Sequence, residues 1–569
     1  MKEKIKKYFV EPIWFYLAGI VFMFFQITGY LLAKNETIVW TVTQSAFIII
    51  ASVFFGTGIG ALVHRICEKY FESKSVSMDC DVDREQNVCE KQKKTWKIML
   101  FSFCIILLCW LPLFAAYFPG IGSYDYGNQM ISFIQDDITT HHPIIHTELM
   151  GRLWLWSFTE LGSGTIGLAV YTTIQILFMA LAFSYAIVVL YKLGMSDKGS
   201  ILFAIFLGIF PLNGYMAISA TKDGLFSASF LLVMVSLLYL LLNKNYNGFY
   251  IANIGVLLAS VFGTIAFRNN GRYAMMALLA GILLVNILEK FKNARCLVAG
   301  IMVVLAFTMS IGKIQSIEAE YYNPTKDQNE KYSVPFLQVT RTAAYHHDDM
   351  DADDLAYLEE CFYEGFYNDY NPVLADEIKD SFDTKGYLKD ERTLEIYLKL
   401  FKEYPGEYLN AFLVLDAGYL YLFDTSCFTP YTEAEEKGFG YIITNENITW
   451  MESIGVYKHS AFPWLYNWLE EILTSNTLVK IPLLGQIMRP AMWLYIYLFI
   501  VATSLTYKKF HHLIPLSLLG GLYVTILLGP VVLMRYIYPI MLGLMVYLFR
   551  YGEVFFGRWK ETKKVDKKN

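Results

Sequence analysis

Twelve runs of about twenty mostly apolar residues decide what this chain can fold into, because in hydrocarbon only helices or closed barrels satisfy their own backbone hydrogen bonds. The runs fall near 13–33, 38–63, 97–118, 164–190, 200–219, 224–243, 249–267, 273–288, 295–312, 487–506, 511–531 and 534–550. Each is long and continuous enough for a helix and lacks strand alternation. The first follows MKEKIKK with no small-residue cleavage site behind it, and so reads as a retained signal anchor. The expectation is an all-α polytopic membrane protein with about twelve transmembrane helices. Only 17% of the residues are charged, against about 25% in soluble chains. That excludes an ordinary soluble enzyme.

Charge sets the orientation. With the N-terminus inside, eight Lys and Arg fall in the inner loop 64–97 and seven in 550–569. The short outer loops hold only Lys34, Arg152, Lys222, Arg268, Arg272 and Arg535. The positive-inside rule then predicts a plasma-membrane protein with both termini cytoplasmic. Between Lys313 and Arg489 there are 31 acidic and 14 basic residues, whereas the remainder is basic by twelve. An acidic, water-exposed outer domain fits that balance, and nucleic acid as a partner does not.

These patterns divide the chain into an N-terminal two-span addition (1–63), a cytoplasmic loop (64–96) and a transmembrane core (97–312) with a long outer loop at 119–163. An acidic, mainly helical extracytoplasmic domain (313–486), a three-span bundle (487–550) and a basic tail (551–569) follow. Within the acidic domain, 353–362, 390–403 and 408–423 carry helical patterning, and the last is apolar enough to lie along the membrane surface. The HHDDMDADD run at 346–354 reads as a solvated loop with helix-capping carboxylates. The eight cysteines show no ligand spacing; Cys361 and Cys427 share the acidic domain and could pair there.

Unusual polar residues gather where spans meet the outer face. PGIGSYDYGNQ (119–129) carries Asp125, and ITTHHPIIHTELMGR (138–152) carries His141, His142 and His146. Pro143 suits a helix start, which predicts His142 and His146 one turn apart on one face. SATKDGLF (219–226) puts Lys222 and Asp223 beside hydrocarbon, costly unless they are paired or line a cavity. FRNNGRYA (267–274) sets Arg268 and Asn270 against the inside-positive bias, and LMRYIYP (533–539) does the same with Arg535. Guanidinium groups bind phosphate through paired hydrogen bonds, so an anionic ligand is a natural reason for them. Asn213, just after Pro211, could mark a kink.

An acidic residue in a long outer loop followed by a His-Pro segment resembles the GT-C superfamily of integral-membrane glycosyltransferases. The combination of YDYGNQ, HHPIIHT, TKDGLF, FRNNGRY and RYIYP is similar to a group of bacterial GT-C-like membrane proteins, over roughly 97–550. The resemblance implies a GT-C-like fold and transfer of a sugar from a polyprenyl-phosphate donor to a glycan, lipid or protein acceptor at the outer face. It places Asp125 as the catalytic base, with Asp223 as a second carboxylate. His141, His142, His146, Lys222, Arg268, Asn270 and Arg535 would face the lipid phosphate, and Arg341 would reach in from the acidic domain. A divalent metal (Mg or Mn) held by Asp125, Asp223 or His146 is allowed but not required. The chain departs from the usual carboxylate pair, because Tyr126 follows Asp125; Asp136 and Asp137 form the nearby pair. The alternatives are a polymerase or ligase acting on lipid-diphosphate glycans, and a transporter or flippase. A transporter should carry ionisable residues near the bilayer midplane, and these span centres are almost free of charge.

Overall fold

The computed structural model describes residues 12–72, 88–122, 124–243, 248–321, 329–382, 387, 390–424, 448–474 and 477–565. Among the described residues the first twelve helices are α1 (Ile13–Asn35), α2 (Val42–Glu72), α3 (Val88–Ala116), α4 (Tyr124–Ile134), α5 (Ile144–Leu161), α6 (Thr165–Lys192), α7 (Asp197–Ile209), α8 (Pro211–Ile218), α9 (Lys222–Leu242), α10 (Gly248–Phe267), α11 (Asn270–Leu288) and α12 (Ala294–Glu320). Later come α13 (Ser333–His346), α14 (Ala352–Cys361), α15 (Glu391–Glu403), α16 (Pro405–Leu415), α17 (Ala417–Leu420), α18 (Pro463–Thr474), α19 (Pro490–Thr506), α20 (Leu513–Ile526) and α21 (Met534–Val565).

The protein is an all-α multi-pass membrane protein. Among the described residues, eight helices are long and apolar enough to cross a bilayer: α1, α2, α3, α6, α9, α10, α11 and α12. The pair α7 and α8 adds a ninth if counted as one span, broken by a 59° bend. Fewer helices therefore meet the length criterion than the twelve apolar runs predict. The difference lies at the C-terminal end: α19 and the stretch 510–526 are apolar but shorter, and α21 is long but not among the helices apolar enough to qualify.

The bend has a local cause. Pro211 lacks the N–H that would continue α7, and the side-chain amide of Asn213 instead donates to the Leu207 carbonyl at 2.8 Å. The Asn213 carbonyl oxygen accepts from the Tyr538 hydroxyl of α21 at 2.8 Å. The kink expected at Asn213 is thus present, and the residue's polar groups are absorbed in holding it.

Helix α9 is apolar all round and buried along almost its entire length against α6, α10 and α21, as a central helix must be. Around it, Phe183, Phe230, Leu237, Leu257 and Leu544 belong to one continuous core. Helices α1 and α2 pack on each other, and α1 also packs on α19. The segment 333–408 has a separate core centred on Phe336, Phe362, Phe366 and Leu400.

The expected helices at 353–362 and 390–403 are α14 and α15. Asp351 caps α14 by accepting from the backbone N–H groups of Asp353 and Asp354, the capping role its acidic run suggests. The apolar stretch 408–423 is largely helical, as its patterning suggests. It forms α16 and the short α17, which turn into the bundle and pack against α1 and α19. Cys361 is buried in this second core, and its proposed partner Cys427 lies outside the described residues.

Candidate functional site

Two short strands set up the site. Ile121–Gly122 (β1) pairs in parallel with Ser219–Ala220 (β2), in register Ile121↔Ser219 and Gly122↔Ala220. Helix α4 starts just after β1 and α9 just after β2, so the strand pair brings two helix N-termini together with Asp125, Lys222 and Asp223 in their first turns. Thr221 caps α9, its hydroxyl accepting from the Asp223 N–H at 3.3 Å. Gln175, in the middle of α6, locks the approach to β2 by donating to the carbonyls of Met216, Ala217 and Ser219 at 3.0, 3.1 and 2.6 Å.

Arg535, in the first turn of α21, faces Asp125 with both guanidinium nitrogens. Its Nη1 donates to Asp125 Oδ2 at 2.8 Å and its Nη2 to Oδ1 at 3.4 Å. Lys222 Nζ lies 3.2 Å from Asp125 Oδ2. Arg268, one residue past the C-terminus of α10, pairs with Asp223 Oδ1, and Asp223 Oδ2 is 3.4 Å from Arg535 Nη1. The result is a chain of charges, Lys222–Asp125–Arg535–Asp223–Arg268, with two carboxylates against three cations. Asp223 is fully buried, and Asp125, Arg268 and Arg535 are each more than nine-tenths buried. The Tyr536 ring lies beneath the guanidinium groups of Arg268 and Arg535, 4.4 and 5.1 Å from its centroid.

Burial opposes the charge on Asp125, but Arg535, Lys222 and the hydrogen bond from Arg535 outweigh it and hold the carboxyl well below the usual range. In the same surroundings His142 is shifted downward too, which for a histidine disfavours the charged form. Burial and the neighbouring Lys222 push its imidazolium well below the ordinary histidine range. The ring is therefore neutral at pH 7. Lys222 Nζ lies 2.9 Å from His142 Nδ1. An ammonium only donates, so Nδ1 accepts and the proton sits on Nε2. That buried Nε2 has no hydrogen-bond partner among the described residues.

His146 does not share a face with His142. Pro143 is the extended N-cap of α5, so His142 precedes the helix and His146 lies within it. The Gln129 amide donates to the Asp125 carbonyl at 3.2 Å, which turns Gln129 Oε1 toward His146 Nδ1 at 2.8 Å. Nδ1 then carries the proton, and Nε2 meets the Tyr171 hydroxyl at 2.6 Å. Burial lowers the His146 pKa to about 3, so it too is neutral. With both ring nitrogens engaged and both Asp125 oxygens facing cations, this donor set does not fit a divalent metal. Among the described residues no three His, Cys, Asp or Glu side chains converge in a metal-holding group.

The remaining sequence candidates separate. The His141 ring packs edge-on against His142, centroids 4.5 Å apart, and its carbonyl accepts from Asn269 at 3.2 Å. Asn270 opens α11, but it is Asn269 that ties the histidine loop to this end of the bundle, also donating to the Thr140 carbonyl at 3.0 Å. Arg341 is not brought to the cluster. It pairs with Glu407 at 2.7 Å and donates to the Tyr370 hydroxyl at 3.0 Å, within the segment 333–408. Asp136 and Asp137 are exposed beyond α4, so they take no place in the buried network. Sequence reasoning missed Gln129, Tyr171, Gln175, Asn269 and Tyr536. Two carried a signal: Gln129 is one turn from Asp125 in the same motif, and Gln175 is a lone amide in an apolar span, where a polar group needs a partner.

Residues 134–569 match the model of a family of unknown function, DUF6020, and the chain belongs to that family. The match includes Lys222, Asp223, Arg268 and Arg535, and begins after Asp125. No curated protein and no solved structure matches the chain.

Proposed function

For this member of a family of unknown function, we propose a membrane glycosyltransferase of GT-C type. It takes a sugar from a polyprenyl-phosphate carrier and passes it to a cell-envelope glycan, glycolipid or protein. In this reading α7 and α8 form one broken span, and α19, α20 and the first half of α21 complete twelve crossings. Both termini are then cytoplasmic, and the charge chain lies at the outer face.

The observation that carries the reading is the buried chain Lys222–Asp125–Arg535–Asp223–Arg268, built where three helices begin. Helix N-termini and a surplus of cations suit an anion, and the protonated Nε2 of His142 is a donor free to meet one. A phosphate oxyanion entering here competes with Asp125 for Arg535 and Lys222. As those cations turn to the phosphate, Asp125 loses the charges that hold its proton affinity down, and becomes a base.

The acceptor hydroxyl oxygen then attacks the anomeric carbon, and its proton passes to Asp125. The bond from that carbon to the phosphate oxygen breaks, and the lipid phosphate leaves with the electron pair and an added negative charge. Lys222, Arg535 and Arg268 stabilise that charge. Base help of this kind is worth about 10²–10⁴-fold.

The test uses membranes carrying the protein and radiolabelled polyprenyl-phosphate sugars, following release of free lipid phosphate. Turnover in the wild type that is lost in Asp125→Asn supports the reading. No turnover with any sugar, with consumption of a lipid-diphosphate glycan instead, replaces it with a polymerase or ligase. Inactivity with both classes moves the assignment to transport.

A further inference from the structure

Arg535 gets its direction from the four residues before α21, and the outer domain grips three of them. The Ala375 N–H donates to the Pro530 carbonyl at 2.8 Å. Leu374 pairs with Val531 in an isolated antiparallel bridge and packs in one apolar cluster with Val531 and Leu533. The Tyr419 hydroxyl makes two bonds to one residue: it accepts from the Leu533 N–H at 3.1 Å and donates to the Leu533 carbonyl at 3.3 Å. A phenol has one proton and two lone pairs, so it can serve both groups at once. Leu533 lies two residues before Arg535.

Tyr419 is fully buried, and its own helix is tied down on the far side. The Leu420 carbonyl, at the end of α17, accepts from the Tyr495 hydroxyl of α19 and from Gln26 Nε2 of α1 at 3.2 Å. Gln26 Oε1 in turn accepts from the Leu422 N–H at 3.1 Å. Helix α17 therefore spans from the α1/α19 side of the bundle to the loop that aims Arg535. This explains why an apolar stretch too short to cross a membrane turns inward.

We infer that Tyr419 is a positioning residue: through Leu533 it fixes the start of α21, and with it the alignment of Arg535 on Asp125. The outer domain is then part of the site's frame. The catalytic meaning of this rests on the glycosyl-transfer reading, but the alignment can be measured without turnover, so the two can fail separately.

The probe is dicyclohexylcarbodiimide, which adds to protonated carboxyls in apolar surroundings. The full chain in lipid nanodiscs is treated, and adducts at Asp125 and Asp223 are quantified by mass spectrometry. In the wild type Asp125 resists; Arg535→Gln sets the upper reference. Tyr419→Phe is expected to raise the Asp125 adduct about tenfold, the change in protonated carboxyl that one pKa unit gives. Asp223 also faces Arg535 but keeps Arg268, so its adduct should rise less than that of Asp125. Tyr408→Phe removes a buried hydroxyl bonded to the Tyr397 carbonyl inside the outer domain, and should leave both sites as in the wild type. An unchanged Asp125 adduct in Tyr419→Phe beside a raised one in Arg535→Gln overturns the inference. So does an equal rise at Asp125 and Asp223, or the same response from Tyr408→Phe. Should Tyr419→Phe not fold, Leu374→Ala loosens the other grip on the loop, and the absence of a rise at Asp125 there overturns it as well.

Discussion

Arg535 and Asp125 stand 410 residues apart in the chain and meet through two hydrogen bonds of 2.8 and 3.4 Å in a nearly water-free setting. Removing one partner of a buried pair costs about 3–5 kcal/mol, while removing both can be close to neutral. Asp125→Asn and Arg535→Gln should therefore each lower the apparent melting temperature in nanodiscs. The double variant should lose clearly less than the sum, since residues in contact couple by about 0.5–3 kcal/mol. Additive losses would mean that the pair carries little interaction energy.

Gly224 follows Asp223 in the first turn of α9. A methyl group there would come within 2.6 Å of the side-chain carbon and oxygen of the Gln175 amide. That amide cannot swing aside cheaply, because it holds three backbone carbonyls. Gly224→Ala is expected to destabilise by about 1–3 kcal/mol through overpacking. It should also displace Lys222 and Asp223, which share the turn. Gly224→Ala in a Gln175→Ala background should recover part of that loss. Measured melting temperatures that show no recovery would remove Gln175 as the cause.

The bundle was legible in the sequence because hydrocarbon leaves a chain few options: eight of the apolar runs are helices of spanning length, and Pro211 marks the bend in a ninth. The cluster was legible for a related reason. Charges beside hydrocarbon need partners, and Asp125, Lys222, Asp223, Arg268 and Arg535 are each other's partners. Pairing itself was not readable, since nothing local says that Arg535 chooses Asp125 while Arg341 chooses Glu407. Protonation was hidden too, because the neutrality of His142 depends on its burial and on Lys222 arriving from 80 residues away. The inward turn of α16 and α17 rests on hydrogen bonds to Gln26, Tyr495 and Leu533, contacts with no trace in local periodicity.

Arg268 tests whether charge alone is enough. Its guanidinium pairs with Asp223 and lies over the faces of Tyr536 and Phe226, 4.4 and 5.6 Å from their centroids. Lysine keeps the charge but not the plane that stacks on a ring. Arg268→Lys should cost about 1–2 kcal/mol, the scale of a desolvated cation–π contact, and Arg268→Gln more, because it strands Asp223. Equal melting temperatures for wild type and Arg268→Lys would leave the Tyr536 stacking without energetic weight.

Acid should weaken the fold through its histidines before it reaches Asp125. The His146 pKa is lowered to about 3 in the fold, against about 6.5 in an unfolded chain. Between those values the unfolded state takes up a proton that the folded state refuses. Stability from this residue is therefore complete above about pH 6.5 and falls by roughly 1.4 kcal/mol for each pH unit below it. His142 shifts in the same direction and adds to the slope. Asp125 has the same sign but a lower pH window. Its depressed carboxyl contributes stability above its unfolded value near 4, lost only as pH falls through a folded value lower still. From pH 6.5 to 4.5, then, the histidines set the trend. Melting temperatures of wild type and His146→Gln at pH 7.5 and 5.0 check the argument. The variant should start lower at pH 7.5, having lost the contacts to Gln129 and Tyr171, but fall less on acidification. Parallel losses in the two proteins would show that His146 takes no part in the acid sensitivity.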